Sequence, residues 1–97
     1  MYRVKLTPTA ARMFSNFHPI IKKQIKSALK ELYENPSLGK ALRNELVRFR
    51  SLKMKRYRVL YQIDNRDKAA IIYAIGHRRD IYEIVAQLAA DNFTGSP

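Results

Sequence analysis

The sequence contains no cysteine, only three glycines, and eight acidic residues in 97 positions. Without cysteine, a disulfide framework, a thiolate metal site and a cysteine nucleophile are all excluded. The low glycine and proline content excludes collagen-like and low-complexity sequences. No apolar run approaches the ~20 residues of a membrane-spanning helix, and the N-terminal segment MYRVKLTPTA lacks the apolar stretch of a signal peptide. We therefore expect a cytoplasmic protein with no membrane anchor.

Positive charge is what the chain has in excess. Nineteen lysines and arginines stand against eight aspartates and glutamates, so the formal net charge is +11. Residues 1–30 contain no acid, and neither do the eighteen residues between Glu45 and Asp64, six of which are basic. A charge run is usually a solvated face, but this excess on one small domain indicates an anionic partner: nucleic acid, an anionic membrane or an acidic protein. Hydrophobic residues make up 46%, which predicts one packed domain. We expect this domain over residues 1–90, and a flexible tail over 91–97, because residues 91–97 show no periodicity.

The N-terminal third reads as one strand and two helices. Residues 2–6 alternate apolar and basic side chains, which predicts a half-buried strand. Thr7 and Pro8 then supply an N-cap and a first helical residue, and the helix that they begin is broken at His18-Pro19. A second helix is predicted from about Pro19 to Glu34, and the two form a helical hairpin that can lie on one sheet face. The outer face of the second helix carries lysines that could also contact a membrane, although it has few aromatic anchors; they are Lys22, Lys23, Lys26 and Lys30.

The second half of the chain is predicted to form three strands and a last helix. Strands are expected at Val47–Lys53, at Tyr57–Asp64, and at Ala69–Ile75, where nearly continuous apolar residues indicate a central strand buried on both faces. Asp80, with Glu83 three residues later, has the spacing of a capping box at the start of the last helix. The element order β-α-α-β-β-β-α predicts a small α+β domain with a largely antiparallel sheet.

The side chains suited to chemistry are cations around the predicted sheet. The sequence shows no Ser-His-Asp set, glycine-rich phosphate loop or paired carboxylates, and its two histidines lack metal-ligand spacing, so we expect no metal and no cofactor. Lys53 and Arg58 lie on neighbouring strands, and basic residues follow the central strand immediately. We predict that one pocket suited to a phosphodiester gathers the side chains Lys53, Arg58, Arg78 and Tyr82, with His77 beside them.

RNA is a plausible substrate for such a pocket because its 2′-hydroxyl is a built-in nucleophile. A protein can promote cleavage by aligning that oxygen, neutralising charge on the phosphate and moving protons, without a metal. Arginines clamp phosphate, lysine or His77 can transfer a proton, and Tyr82 can stack on a base or donate a proton. From the residues alone a plainer interpretation stays open, in which Tyr82 caps the core, His77 is a surface residue and the cations only bind phosphate.

Two segments, YRVLYQID at 57–64 and IIYAIGHRRDIYE at 71–83, resemble the RelE/ParE toxin superfamily, more closely its RelE side. The resemblance extends through about residue 88 and implies that the chain has the fold of this superfamily. It also implies that the protein is the toxin of a type II toxin–antitoxin pair and that it cuts mRNA in the ribosomal A site without a metal. It implies phosphate binding by Arg58 and Arg78, with His77 at the preceding basic position, and it matches the family's tyrosine to Tyr82. On the preceding strand the family has two basic residues, for which this chain offers Lys53 and, as a departure, Ser51.

The resemblance also implies partners. They are a cognate antitoxin with an acidic or amphipathic helical segment, in a toxin–antitoxin hetero-oligomer, and the ribosomal A site with its rRNA and mRNA. Further RNA contacts are expected from Arg48, Arg50, Ser51, Lys55, Arg56 and Arg79. Two alternatives stay open: a ParE-like toxin that inhibits DNA gyrase and cuts nothing, and a basic nucleic-acid-binding module that has lost catalysis, for which Ser51 at a usually basic place is the argument.

Overall fold

The computed structural model describes residues 2–43 and 47–94, which form five strands, three α-helices and one turn of 3-10 helix at Pro36–Leu38. The first part contains β1 (Arg3–Leu6), α1 (Pro8–Ser15), α2 (Pro19–Glu34) and β2 (Lys40–Ala41). The second part contains β3 (Arg50–Met54), β4 (Tyr57–Asp64), β5 (Ala69–His77) and α3 (Arg78–Thr94). No helix in these described ranges is long and apolar enough to cross a membrane.

The five strands form one mixed sheet in the order β1-β5-β4-β3-β2. Only the β1–β5 pair is parallel among the described strands, and the three other pairs are antiparallel. The predicted α+β domain with a largely antiparallel sheet is therefore confirmed. Strand β2 was not predicted, because its two residues are too few to show an alternating pattern.

Local signals at the start of the chain place both helices of the hairpin as expected. The Thr7 hydroxyl accepts a hydrogen bond from the Ala10 amide at 3.1 Å, which makes Thr7 the N-cap of α1. The His18 imidazole accepts one from the Ile20 amide at 3.2 Å, so the residue that was predicted to break the first helix also begins the second. Helix α2 has the predicted bounds, and α1 ends at Ser15, shortly before His18.

The helical hairpin and α3 cover opposite faces of the sheet. On the hairpin face, Ile25 and Leu32 pack with Val59 and Ile72 in one buried cluster. On the other face, Ile81 of α3 is buried in a second cluster with three further residues, which are Phe49, Leu60 and Ala74. Since neighbouring residues of a strand point to opposite faces, Arg58, one residue before Val59, lies on the α3 face.

Two predicted element starts were wrong. The strand predicted from Val47 begins at Arg50, because its first cross-strand partner on β2 is Ala41; Val47 and Arg48 lie in a turn, and Val47 is 65% exposed. Helix α3 begins at Arg78, directly after β5, so Asp80 lies in its first turn instead of capping it. An acidic residue near the start of a helix is stabilised by the positive end of the helix dipole. Asp80 therefore indicated a helix start correctly, although the helix begins two residues before it.

The predicted flexible tail is helical over its first four residues. Helix α3 continues to Thr94, whereas the tail was expected from Asp91. Residues 91–94 contain neither glycine nor proline, so nothing in this segment interrupts the backbone hydrogen bonds before Gly95. The rest of the predicted tail, residues 95–97, lies outside the described residues.

Candidate nucleic-acid interface

Strands β3 and β4, the start of α3 and the segment 38–43 enclose an open groove of about 770 Å³. The structure brings into this groove the four side chains that were expected to converge, namely Lys53, Arg58, Arg78 and Tyr82. We call it the cationic groove. Its opposite wall adds Lys40 and Arg43, so five cations line it and no carboxylate does among the residues that the structure describes. Such an arrangement attracts an extended polyanion.

Strand register puts two of these cations side by side. Lys53 and Arg58 are direct partners in the β3–β4 pairing, and side chains in such positions have Cβ atoms roughly 5 Å apart. Like charges directly opposite each other destabilise a sheet. The β5 partner of Arg58 is Gly76, so no side chain stands beside Arg58 on that strand. The Lys53–Arg58 pair therefore lowers the stability of the free protein and is suited to bind an anion.

Helix α3 supplies the other two residues from consecutive turns. Arg78 and Tyr82 are four residues apart, so they lie on one helix face, and the Arg78 guanidinium carbon is 6.0 Å from the centre of the Tyr82 ring. The ring is 42% exposed, while the adjacent Ile81 is buried against the sheet. Burial of Ile81 holds the first turn of α3 in place, which leaves Arg78 and Tyr82 at the edge of the groove.

A buried tyrosine on the opposite sheet face holds the second wall of the groove. The Tyr61 hydroxyl donates a hydrogen bond to the Pro36 carbonyl at 2.6 Å and accepts one from the Gly39 amide at 2.7 Å. The Arg50 guanidinium donates to the Gly39 carbonyl at 2.6 Å and to the Ser37 carbonyl at 3.3 Å. Together these bonds pin residues 36–39, from which the groove wall at Lys40 continues.

Sequence reasoning missed this role of Tyr61. The predicted strand at Tyr57–Asp64 contains Tyr61, but alternation along a strand does not show which loop supplies the hydrogen-bond partners that a buried tyrosine hydroxyl needs. Burial raises the pKa of the Tyr61 hydroxyl, although the Gly39 hydrogen bond and the charge of Arg50 act in the opposite direction. Arg50, which was expected to contact RNA, is instead half-buried on the hairpin side with its guanidinium on backbone carbonyls.

The other predicted RNA contacts fall in three places. Ser51 lines the cationic groove and is only 5% exposed, and its hydroxyl has no hydrogen-bond partner among the described residues. Arg56 and Arg79 line an adjoining depression of about 730 Å³ together with His77, which was predicted to be catalytic. This depression shares Arg78 and Tyr82 with the groove. Arg48 and Lys55 lie in turns and line neither.

His77 stands apart from the groove itself. Its ring is 4.7 Å from that of Tyr57, its partner in the β4–β5 register, and Tyr57 in turn contacts Phe17 of the hairpin edge to face at 5.4 Å. The imidazole is exposed at the end of β5 on that side. Residues 2–43 and 47–94 contain no group of three histidine or carboxylate side chains that could hold a metal ion.

Comparisons with known proteins agree on one family. A family model described as the ParE toxin of the type II toxin–antitoxin system parDE matches residues 4–82. Toxin RelG of Mycobacterium tuberculosis is 36% identical over 83 residues, which cover 84% of this chain and 95% of RelG. A chain of the toxin–antitoxin complex RelBE2 from the same organism superposes with a TM-score of 0.74 at 33% identity, over 79% of this chain and 98% of that one.

A more distant structure shares the fold. The isolated RelE toxin of E. coli superposes with a TM-score of 0.72 at 19% identity, over 90% of this chain and 97% of that chain. The family match covers the segment 57–64 and all but the last residue of the segment 71–83, and it includes Arg58, Arg78 and Tyr82. The chain therefore belongs to the RelE/ParE family of toxins of type II toxin–antitoxin systems, and it is RelE-like.

Proposed function

We propose that this toxin is a ribosome-dependent endoribonuclease that cuts mRNA in the A site without a metal ion and so stops translation. The observation that carries the proposal is the cationic groove, in which Lys53, Arg58, Arg78 and Tyr82 meet on one side of the sheet. Cations at fixed positions and an exposed aromatic ring are what a phosphodiester and its neighbouring base need for binding.

Four of the side chains that line the groove have roles in the proposed reaction. The 2′-hydroxyl of the RNA attacks the adjacent phosphorus, the bond to the 5′-oxygen of the next nucleotide breaks, and a 2′,3′-cyclic phosphate and a 5′-hydroxyl form. Arg58 and Arg78 hold the phosphate and offset the charge that grows on its oxygens. Lys53, the direct neighbour of Arg58, accepts the proton of the 2′-hydroxyl when its amine is in the uncharged form, and becomes an ammonium group. Tyr82 stacks on a base beside the scissile bond.

The adjoining depression extends the path of the RNA. It shares Arg78 and Tyr82 with the cationic groove, so an RNA strand that leaves the groove passes over these two residues toward His77. His77 is the proposed donor of the proton to the departing 5′-oxygen, which requires its imidazole to leave the Tyr57 ring and turn toward Arg78. Arg56 and Arg79 bind the following phosphates, and Ser51 lines the floor of the groove.

Dependence on the ribosome follows from how open the site is. The groove is an open surface feature, so its cations can bind a phosphate without fixing the conformation of the ribose. In-line attack needs the 2′-oxygen, phosphorus and 5′-oxygen to be aligned, and such alignment contributes several kcal/mol to catalysis. The ribosome, which holds mRNA in a fixed path, supplies the alignment that the toxin lacks. The protein therefore acts in the cytoplasm.

A cognate antitoxin is the expected protein partner. Solved relatives include the RelBE2 complex of Mycobacterium tuberculosis and the RelBE complex of E. coli, each a toxin with its antitoxin. We extend this partnership to the present chain, in a hetero-oligomer. An acidic or amphipathic helical segment of the antitoxin would cover the cationic groove, or displace α3 and with it Tyr82, because the charge of +11 attracts it.

Inhibition of DNA gyrase is the second candidate function. It is favoured by the matching family model, whose description names the ParE toxin. A gyrase inhibitor would cause a DNA-damage response with filamentation when its synthesis is induced, whereas an mRNA nuclease stops protein synthesis first. A basic module without catalysis would bind RNA and leave mRNA intact.

The double variant Arg78→Ala with Tyr82→Ala tests the proposal in cells and in a translating extract. It should relieve growth arrest and leave mRNA uncut, while its circular dichroism and melting temperature stay near those of the wild type because both side chains are exposed. Gln87→Ala, an exposed substitution on the same helix, is the matched control and should remain toxic. Full toxicity of the double variant would contradict the proposal, and arrest with filamentation would favour gyrase.

A further inference from the structure

Ser51 has a buried hydroxyl that forms no bond within the fold. The side chain is 5% exposed, and its oxygen has no hydrogen-bond partner in the part of the chain that the structure describes. An unpaired buried hydroxyl lowers stability, because it has lost its bonds to water and gained none in return. Ser51 also lines the cationic groove. A ligand that enters the groove can therefore supply the partner that this hydroxyl needs.

Strand β2 places a lysine directly beside this hydroxyl. Lys40 is the cross-strand partner of Ser51 in the β2–β3 pairing, so the two side chains leave the same face of the sheet with Cβ atoms roughly 5 Å apart. Lys40 is exposed and lines the groove as well. On its other side Ser51 is paired with Leu60, which is buried and apolar. Lys40 is therefore the neighbour with which the Ser51 hydroxyl can share an anion.

The Lys40–Ser51 pair lies one step along the groove from the Lys53–Arg58 pair. Ser51 and Lys53 are two residues apart on β3 and both line the groove, so their side chains leave the strand about 7 Å apart. One nucleotide of an extended RNA strand can span this distance. Two pairs at such a spacing suit two successive phosphates of one strand, each bound by a lysine and a second donor.

We propose that Lys40 and Ser51 form a second phosphate site, which binds the phosphate on the 5′ side of the cleaved one. The inference rests on the proposed function, in which Lys53 and Arg58 hold the cleaved phosphate and the 3′ part of the strand passes over α3 toward His77. Helix α3 packs on β4 and β5, whereas β2 lies at an edge of the sheet, beyond β3. The 5′ part of the strand therefore runs toward β2.

Both groups of the second phosphate site donate hydrogen bonds to the phosphate. The Lys40 ammonium supplies charge, and the Ser51 hydroxyl gains a partner. The Ser51 oxygen is closed to solvent in the free protein, so the phosphate reaches it as the exposed Lys40 side chain turns aside. The second phosphate site fixes the direction in which an RNA strand lies in the groove.

Dinucleotides that differ in one terminal phosphate test this assignment. A 2′-O-methylated dinucleotide cannot be cleaved and carries one internal phosphate; a 5′-phosphate adds the preceding one, and a 3′-phosphate adds the following one. In NMR titrations of the toxin, the 5′-phosphate should strengthen binding roughly 5- to 20-fold, as expected for one hydrogen bond to a charged group. It should also shift the amide signals of Lys40 and Ser51.

Variants of Lys40 identify the group that binds the 5′-phosphate. Lys40→Gln should abolish most of the gain in affinity from the 5′-phosphate and leave the gain from the 3′-phosphate intact. Lys40→Arg should keep both gains, since it keeps the charge. Lys5→Gln is the matched control, because it removes an exposed lysine from β1 at the opposite edge of the sheet. Its two gains should equal those of the wild type.

Ser51→Ala separates a ligand-binding hydroxyl from a structural one. It removes a buried group that has no partner within residues 2–43 and 47–94, so the melting temperature should stay constant or rise. The gain from the 5′-phosphate should fall roughly 2- to 10-fold. A lower melting temperature with an unchanged gain would assign Ser51 to the packing of the fold and overturn its part in the site.

Several outcomes overturn the inference as a whole. Equal losses in Lys40→Gln and Lys5→Gln would show an effect of net charge alone. Loss of the 3′-phosphate gain in Lys40→Gln, with the 5′-phosphate gain intact, would contradict the assigned direction. If wild-type toxin cuts mRNA but the 5′-phosphate adds no affinity, the inference fails and the proposed function stands. If both gains behave as expected but the wild type cuts nothing, the proposed function fails and the second phosphate site remains.

Discussion

At the scale of single residues, Arg58 is the side chain on which the site depends most. It stands directly opposite Lys53 across β3 and β4, in the cationic groove. We expect Arg58→Ala to lower the rate of mRNA cleavage about 10²–10³-fold, since it removes a fixed charge that faces the phosphate. The same change relieves like-charge repulsion, so the free energy of unfolding should stay constant or rise by roughly 0.2–1 kcal/mol. Cleavage assays and urea unfolding measure the two effects.

Two further variants show whether the loss of cleavage in Arg58→Ala comes from the lost charge at this position. Arg58→Lys keeps the charge but loses the planar fork of the guanidinium, so its cleavage rate should lie between those of wild type and Arg58→Ala. Arg66→Ala removes an exposed arginine from the β4–β5 turn and should cleave normally. An Arg58→Ala protein that is both inactive and clearly less stable would assign Arg58 to the fold instead of the reaction.

Tyr61 is the residue whose titration should be visible in stability. Because burial raises its pKa above 10.0 in the folded state, the folded protein holds the phenolic proton at pH values where the unfolded chain has lost it. The free energy of unfolding should therefore fall as pH rises above about 10. Tyr61→Phe should be less stable near neutral pH by roughly 1–3 kcal/mol, since Pro36 and Gly39 lose their partner.

Urea unfolding between pH 8 and 11 measures this titration. The difference in stability between wild type and Tyr61→Phe should shrink toward alkaline pH, because only the wild type loses stability by ionising this hydroxyl. Tyr2→Phe is the control, since Tyr2 bonds to Asn65 in an exposed contact. A difference that stays constant up to pH 11 would contradict the assigned role of the buried hydroxyl.

At the scale of elements, the position of the groove wall depends on one close contact between Gly39, in the segment 36–39 before β2, and Tyr61. A Cβ atom at Gly39 would come within 2.5 Å of the Tyr61 hydroxyl oxygen and 2.6 Å of its ring. The ring is fully buried and cannot retreat. We expect Gly39→Ala to destabilise the fold by about 1–3 kcal/mol and to displace the wall at Lys40, so that RNA binding also weakens.

Thermal unfolding and RNA binding test Gly39→Ala together. Ser37→Ala alters an exposed side chain in the same segment and should change neither quantity. Normal stability and normal RNA binding of Gly39→Ala would mean that the segment adjusts without loss, and that the contact with Tyr61 does not shape the groove.

Most elements could be predicted because their signals are local. Thr7 and Pro8 begin α1 by a cap and a fixed backbone angle, and the alternation along β4 follows from its two faces. The short β2 could not be predicted, since its two residues form a strand only by pairing with β3. The position of Asp80 was missed for a related reason: a strand that runs directly into a helix leaves no separate capping residue.

Part of the site could be predicted from neighbouring strands. The sequence placed Lys53 and Arg58 on adjacent strands, but their direct pairing depends on the two-residue turn that joins these strands, whereas the predicted strands left three residues between them. The capture of Arg50 by the Ser37 and Gly39 carbonyls could not be predicted, because it depends on a loop that folds back across the sheet. His77 was placed with the groove by proximity in the chain, whereas its contact with Tyr57 depends on tertiary packing.

At the scale of the whole molecule, positive charge is divided between two surfaces. The cationic groove lies on the α3 face of the sheet, and the exposed lysines Lys23, Lys26 and Lys30 lie on the outside of the hairpin that covers the other face. A net charge of +11 on a body only 22 Å thick repels itself. The free toxin should therefore gain stability when polyanions bind, and thermal unfolding with added RNA should show a melting temperature that rises with RNA concentration.

Primer extension on a translated message tests the central claim most directly. A message with a known ribosome position is incubated with wild-type toxin, with Arg58→Ala and with Arg66→Ala, in the presence and absence of ribosomes. The account predicts new 5′ ends within the A-site codon for wild type and Arg66→Ala, only when ribosomes are present, and about 10²–10³-fold slower cleavage for Arg58→Ala. An intact message under wild-type toxin, or cuts that Arg58→Ala makes at the wild-type rate, would contradict it.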